Sequence, residues 1–590
     1  MLAKDSPPLC ILTMQPAPEH TESELLQFRR HKLEELQKRG IAAFGGKFEV
    51  SHDPGTLKAN FTEGLDVRIA GRILSRRQMG KATFFDVGDI TGRIQCYLSK
   101  NDVGEEAYDL FVHQIDIGDF VAIEGLSFVT KKGENSVHVK VLTPMGKALR
   151  PLPDKWHGIA DREIKYRQRY LDLISNDRSR EVFVTRTKMV AEIRSFLHGR
   201  DFMEVETPMM QDVPGGAAAR PFETYFNALD QKMYLRIAPE LYLKRLLVGG
   251  FTRVFELNRN FRNEGVSRRH NPEFTMLEAY WAFSDFEQMA DLVESMICHL
   301  AEKFCGGLKI KRNRATELRT ILFMIPRLCQ EHSLKLSKEA DAEFQVVVAQ
   351  AHKLLNELDQ DKTTACAQAL KEEMTRFLGL YVNELTDGQR GFFDAMMLKI
   401  EDLCEDAFID LSRPWKRTPY RDLVRGAAGA DWFELSKEAK VERAQSLGVH
   451  EIHAGDEHYE LDQKVFEKLV EEKSFNPLFV THVPKELVPL AKQNTTDDSV
   501  VDVYELVING QEISPGYSEL NDPIVQRERL EHQAGEEIQK IDEDFILALE
   551  HGMPPAGGIG IGIDRLIMML TGAESIRDVV LFPQLKRKAD

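Results

Sequence analysis

The sequence predicts an α+β protein, a small five-stranded barrel followed by a larger α+β body that an α-helical insertion interrupts. Three observations predict it. Five short β-rich runs crowd between Asp66 and Thr143, the chain closes on a strand-then-helix unit with glycine at every second position, and the stretch from Ile310 to Asp406 turns to Ala, Leu, Glu and Lys with few strand signals. At 590 residues, 43% hydrophobic and 29% charged, the composition is that of a globular protein of roughly three to five domains. No run approaches the ~18 consecutive apolar residues of a membrane span, so a soluble protein is expected. The seven cysteines (Cys10, Cys96, Cys298, Cys305, Cys329, Cys366, Cys404) are scattered and never spaced C-x-x-C. That argues against a disulfide framework or a thiolate zinc site and fits a reducing cytoplasm.

Taken in order, residues 1–21 read as a disordered lead-in. Pro7, Pro8, Pro16 and Pro18 surround the short apolar patch Leu9–Met14, which lacks a basic flank or a small-residue cleavage site, and Met14 is a second candidate start. Residues 22–64 hold an amphipathic helix, Glu22 to Arg39, stopped by Gly40, and a connection. Residues 65–150 carry the strand runs Val67–Leu74, Thr83–Val87, Arg93–Leu98, Phe120–Ser127 and Ser136–Leu142, which suggest an oligonucleotide-binding (OB) type barrel, though spacing alone does not separate it from other small β folds. Residues 151–180 form a linker. The body begins at 181–309 with a helix, Glu181 to His198, stopped by Gly199 and followed by the strand FMEVETP. In the insertion, 310–406, Phe344, Val347, Val348, Ala351, Leu354, Leu355 and Leu358 recur at helical spacing. Thr363–Thr364 offers the cap of a second helix, and a third, Phe392 to Phe408, is expected after a break at Asp387–Gly388. Residues 407–590 return to strands and close the body.

The closing unit is Gly558-Ile-Gly560-Ile-Gly562-Ile-Asp564-Arg565. Glycine at every second position puts three side-chain-free residues on one strand face, against which a flat group can lie with Arg565 covering it. This is neither the dinucleotide G-x-G-x-x-G nor a P-loop. The stretch Arg253–Tyr280 reads as strand, charged loop, strand. Arg262 can fork a phosphate beside the carboxylate of Glu264, Arg268, Arg269 and His270 fall in the turn, and Phe274 offers a stacking face. The bland alternative for each is a close-packed glycine strand and a surface ion-pair ladder.

Together, FRNEG…RHNPEFTMLE, the ETPMM strand with Pro208, and GIGIGIDR resemble motifs 2, 1 and 3 of the class II aminoacyl-tRNA synthetases. RPLPDKWHG, RQRYLDL, GGAAARPF, YLRIAPELYLKRLLVGG and GYSELNDP are more closely similar to the bacterial-type lysyl-tRNA synthetases of that class. The likeness spans about Glu22 to Lys586 apart from the insertion, which lies between motifs 2 and 3. It implies a catalytic domain built on an antiparallel sheet flanked by helices, and a cytoplasmic homodimer that joins lysine to tRNA(Lys) with ATP and Mg2+. By resemblance, Arg262 holds the α-phosphate, Glu264 and Asn271 fix the adenine end, His270 approaches the phosphates, Phe274 and Arg565 sandwich the ring, and Gly562 belongs to the ATP site. Glu505 and Glu512 match magnesium carboxylates, and Mg2+ needs only one or two of these beside phosphate and water. Glu240, Glu278, Tyr280 and Glu519 suit a substrate with two ammonium groups, Glu240 for the α-amine and the others for the side-chain amine. Gly216 lets backbone approach the amino acid and Tyr517 packs on its stem. Arg77, Phe84, Gln95 and Glu134 are implied to read a uridine-rich anticodon, with Phe84 as barrel core the competing reading.

In one place the chain departs from the family pattern G-N-G-[FY]-S-E: it reads Ile513-Ser514-Pro515-Gly516-Tyr517-Ser518-Glu519. Pro515 removes an amide side chain and a backbone donor, so an altered affinity or a substituting group is expected, with lysine selectivity kept by the carboxylates. Aspartyl or asparaginyl synthetases share the barrel-then-body order, but Glu240, Glu278 and Glu519 speak against them, since a pocket for aspartate would want Arg or Lys there. A tRNA-independent lysyl ligase would lack the barrel, and a decayed synthetase would have lost some of Arg262, Glu264, Glu505, Glu512 and Arg565. The formal charge of −17 argues against a nucleic-acid partner only if read globally, because residues 65–81 carry five cations against one acid.

Overall fold

The computed structural model describes residues 22–152, 162–217, 219–331, 336–450, 452–453, 455–488, 491–536 and 541–586. The expected lead-in with its candidate start Met14, and 153–161 of the expected linker, lie outside these. The chain divides into two compact units, residues 1–161 with 170–180, and residues 162–169 with 181–590. Segments 22–64 and 65–150 fall in the first, 181–309, 310–406 and 407–590 in the second, and the linker 151–180 is split between them. No described helix is long and apolar enough to cross a membrane.

In the first unit the helix Glu22–Lys38 ends where Gly40 takes a positive φ of 70°. It is held by Arg29, whose guanidinium donates to the carbonyls of Ile117, Ala148 and Arg150 at 3.0 Å each. The strands are β1 (Asp66–Met79), β2 (Ala82–Gly88), β3 (Arg93–Ser99), β4 (Phe120–Val129) and β5 (Asn135–Gly146). They close as β1-β2-β3-β5-β4, with β3 and β5 parallel and the other neighbours antiparallel. Strict alternation sends Ile69, Phe85, Val87, Ile94, Cys96, Ile123 and Val137 inward to a common core. Two helices between β3 and β4, Lys100–Val103 and Glu105–Gln114, are not evident from the strand pattern; Tyr108 and Phe111 of the second plug the barrel.

The second unit contains β6 (Met203–Glu204), β7 (Met210–Gln211), β8 (Phe222–Phe226), β9 (Gln231–Leu235), β10 (Arg253–Phe261), β11 (Glu273–Ala282), β12 (Lys309–Lys311), β13 (Phe408–Asp410), β14 (Lys416–Pro419), β15 (Leu478–Thr481), β16 (Val503–Val507), β17 (Glu512–Ser518) and β18 (Ala556–Gly562). Its main sheet has eight strands in the order β14-β15-β16-β17-β18-β11-β10-β6, antiparallel except at the β14–β15 and β10–β6 edges. The helices Asp177–His198, Phe286–Phe304 and Ile563–Thr571 contribute Met189, Ile193, Met289, Val293, Ile297, Leu566 and Ile567 to a core that also takes Phe255, Leu277, Ile559 and Ile561 from the sheet. The residues alternating with those sheet residues are left for a site.

The insertion is a bundle of the helices Ala315–Glu331, Lys338–Glu357, Thr363–Tyr381 and Asp387–Leu403 around its own core of Phe344, Val347, Leu370, Phe377 and Phe393. The expected third helix is corrected at both ends. Thr386 and Gln389 form a capping box, so Asp387 and Gly388 are its first turn, and Phe408 sits in β13, which pairs with β12 at the neck of the insertion.

Candidate active site

Strands β10 and β11 pair with Asn260 opposite Phe274 and diverge at Arg262, whose backbone N–H still donates to Pro272 O at 2.8 Å. The loop between them, the glycine strand β18, β16–β17 and the start of the helix Glu240–Val248 enclose a cavity of about 620 Å³. It is lined by Arg262, Glu264, Arg269, His270, Asn271, Phe274, Glu278, Tyr280, Glu505, Glu512, Tyr517, Gly562, Arg565, Gly216 and Glu240, among others. Asp564 supports one wall from outside the chemistry. It accepts from Thr275 N at 2.8 Å and pairs with Arg186 at 2.6 Å, tying β11 to the helices beneath.

One end of the cavity is cationic. The Arg262 guanidinium lies 5.2 Å from the Phe274 ring centre, and its Nε is buried without a hydrogen-bond partner. Arg565 donates to His270 Nε2 at 2.9 Å and to Glu512 O at 3.2 Å. An imidazole accepting at Nε2 is neutral, and partial burial and the Arg565 charge both lower the His270 pKa. Asn271 donates to Glu273 O at 2.6 Å and leaves its Oδ1 buried and unmatched beside the cavity. Arg268 turns away, to Thr316 Oγ1 at 2.5 Å.

The glycine stripe of β18 has two parts. A Cβ at Gly560 would meet only Pro515 at 3.9 Å, and one at Gly562 only Arg565 at 3.7 Å or beyond, so these two give the cavity its flat floor. At Gly558 the space is already filled, a Cβ falling 1.9 Å from Glu519 Oε1.

Glu505 and Glu512 stand on neighbouring strands, with Glu505 opposite Pro515. Burial, then Glu512 and Glu471, raise the Glu505 pKa. Among the described residues no three His, Cys, Asp or Glu side chains gather as a metal cage. A carboxylate pair beside a polyphosphate-sized cavity fits Mg2+ completed by phosphate and water.

At the opposite end Tyr280 donates to Glu278 Oε2 at 3.1 Å. Burial, then Glu240, push the Glu278 pKa up to about 8. Gly216, at φ +84°, leaves no room for a Cβ, which would lie 2.9 Å from that of Glu240. Beneath Glu278, Glu256 is its β10 neighbour and is neutralised by Arg236 at 2.6 Å. Glu519 stands beside the Tyr280 ring, a Cβ at Gly558 falling 1.9 Å from Glu519 Oε1 and 2.7 Å from that ring. It is 2% exposed and pairs with Lys244 Nζ at 2.6 Å. Sequence reading passed over Lys244. Its spacing of four from Glu240 on one helix was the available signal.

On the barrel, Phe84 and Phe85 resolve the competing reading. Phe85 is in the core, while Phe84 is on the outer face, 5.0 Å from Tyr97. Arg77 is exposed opposite Phe84, Gln95 accepts from Ser136 Oγ at 3.1 Å, and Glu134 pairs with Lys58 at 2.9 Å. Tyr97, Phe128 and His138 extend the same outer row of rings and were not foreseen.

The sequence matches the family described as tRNA synthetases class II (D, K and N) over residues 161–586, and an OB-fold nucleic acid binding domain over residues 67–145. It is 43% identical to a lysine–tRNA ligase of Pelotomaculum thermopropionicum, covering 96% of this chain and 95% of that protein. Lysine–tRNA ligases of Staphylococcus haemolyticus (40%, covering 96% and 99%) and Burkholderia ambifaria (41%, covering 97% and 98%) are similar over the same extent.

Proposed function

The chain belongs to the class II tRNA synthetases (D, K and N), and on that footing we propose that it activates L-lysine with ATP, releasing pyrophosphate, and transfers the lysyl group to the 3' end of tRNA(Lys). The observation that carries this reading is one cavity that joins Arg262, Arg269 and Arg565 and a bare glycine floor to the carboxylates Glu240 and Glu278 and the phenol of Tyr280. Within a family spanning aspartate, lysine and asparagine, acidic walls favour the amino acid with two ammonium groups.

In the first step a carboxylate oxygen of lysine attacks the α-phosphorus of ATP as the bond to the bridging oxygen of pyrophosphate breaks. The nucleophile is already an anion and the leaving group departs as one, so no protein acid or base is required. Position and charge are. Arg262 forks the α-phosphate oxygens where charge concentrates. Neutral His270 orients Arg565 without adding charge. Phe274 and Arg565 hold the adenine from either side over Gly560 and Gly562, with Glu264 and Asn271 at its edge. Glu505 and Glu512 would hold Mg2+, which when bound neutralises phosphate charge. Glu240 receives the α-ammonium, Glu278 and Glu519 with Tyr280 the side-chain ammonium, and Tyr517 flanks the stem. The terminal adenosine of the tRNA then attacks the lysyl carbonyl and AMP leaves.

The aromatic outer face of the barrel, near Arg77, Gln95 and Glu134, supports an anticodon site for stacked single-stranded bases. Exposed Met203 on the edge strand β6, and exposed Met210, Tyr225 and Phe226 on the separate sheet β7-β9-β8, support a homodimer, and a cytoplasmic setting follows from the reaction. Lysine-dependent exchange of pyrophosphate into ATP tests the assignment. Exchange driven by aspartate or asparagine and not by lysine overturns it.

A further inference from the structure

Lys244 has no part in the chemistry above, yet it joins two acids of the amino-acid end. It is fully buried one turn into the helix that starts at Glu240, with its ammonium 2.5 Å from Glu240 Oε1 and 2.6 Å from Glu519 Oε2. Glu240 lines the cavity, and Glu519 lies beside Tyr280, which lines it too. Lys244 therefore bridges two acids of the same end. Glu519 is itself fixed, since its backbone N–H donates to Ala556 O at 2.8 Å and its carboxylate fills the space above Gly558.

We propose that Lys244 is a positioning residue for amino-acid binding: anchored by Glu519, it holds the Glu240 carboxylate in place for the substrate's α-ammonium. The inference rests on the lysine-activating reading above. Packing alone does not explain three charges here, because an apolar side chain fills a buried position at least as stably as a buried ion pair. The neighbours of Glu240 explain them better. Glu278 and Glu519, with Tyr280 and Tyr517 beside them, make a crowded acidic end where burial, then Glu240, push the Glu278 pKa up to about 8, and a cation held between Glu240 and Glu519 offsets that crowding. Burial opposes the charge of Lys244, but Glu240 and Glu519 together hold it protonated above the ordinary lysine range.

The test is a double-mutant cycle read by pyrophosphate exchange, with wild type as the control for the function itself. If wild type shows no lysine-dependent exchange, the function reading fails, whatever the variants do. With that control in hand, Lys244→Met is expected to raise the lysine KM about tenfold to hundredfold, as for a lost charged hydrogen bond, and to leave the ATP KM within about twofold. In a Glu240→Gln background the same change is expected to cost less than about threefold, because the group it positions is already gone. An equal factor in both backgrounds, an unchanged lysine KM, or an ATP KM rising in step overturns the proposal. Should Lys244→Met fail to fold, Lys244→Gln, which retains a donor without the charge, is run in the same two backgrounds and judged by the same outcomes.

Discussion

Gly558 and Gly560 share one face of β18, and replacing each with alanine should break different things. A methyl at Gly558 would lie 1.9 Å from Glu519 Oε1 and 2.7 Å from the Tyr280 ring. Carbon and oxygen rest at about 3.3 Å or more, so Glu519 must retreat by over an ångström. Lys244, 2.6 Å away, is its partner. Separating a buried pair costs about 3–5 kcal/mol, and Gly558→Ala is expected to lower the urea unfolding midpoint clearly and to raise the lysine KM, with a smaller effect on ATP. A methyl at Gly560 meets nothing nearer than Pro515 at 3.9 Å. Gly560→Ala should therefore keep the wild-type midpoint and raise the ATP KM, since the methyl stands on the cavity floor. Urea titration and exchange kinetics on the two variants decide the matter. A Gly558→Ala protein as stable as wild type with an unchanged lysine KM, or a Gly560→Ala protein equally destabilised, would refute the division of the stripe.

Other outcomes follow from the same geometry. Glu278 titrates near 8 in the free protein, pushed up by burial and Glu240, and an arriving ammonium favours its ionised form. The lysine KM should fall as pH rises toward about 8 and then level, with calorimetry in two buffers showing proton release near neutrality; Glu278→Gln should abolish that release. Because its folded pKa lies above the unfolded value of about 4.3, the stability Glu278 contributes is present in acid and is lost as pH rises through about 8, so Glu278→Gln should flatten unfolding midpoints across that range. Phe84→Ala, outside the barrel core, should raise the tRNA KM by the factor that ~1–3 kcal/mol of base stacking implies and leave tRNA-free pyrophosphate exchange unchanged. Glu512→Gln should raise the Mg2+ concentration needed for half-maximal exchange about tenfold, with little change in lysine KM.

Features with a local period were legible in the sequence. The alternating strands of the barrel, the apolar stripe from Phe344 to Leu358 and the glycine strand of β18 all appear in the structure. Where two signals competed at one position, packing decided. Asp387–Gly388 reads as a break, yet the Thr386–Gln389 capping box makes it a first turn. Phe84 and Phe85 look alike in sequence and differ only in which way the barrel closes. Long-range charge pairing left no local trace: Arg186 meets Asp564, and Glu519 meets Lys244, across hundreds of residues. Pro515, which stands where the expected pattern has Asn, lies between Glu505 and the open space over Gly560, so the cavity meets a saturated ring there and no amide.

The central claim is tested most directly by charging itself. Purified protein is incubated with ATP, Mg2+, tRNA(Lys) and one labelled amino acid at a time, and the label held in ester linkage at the tRNA 3' end is counted. Lysine should accumulate there in an ATP-dependent manner, while aspartate and asparagine should not. Ester-linked aspartate or asparagine, or no lysine on the tRNA despite intact ATP binding, would contradict the account.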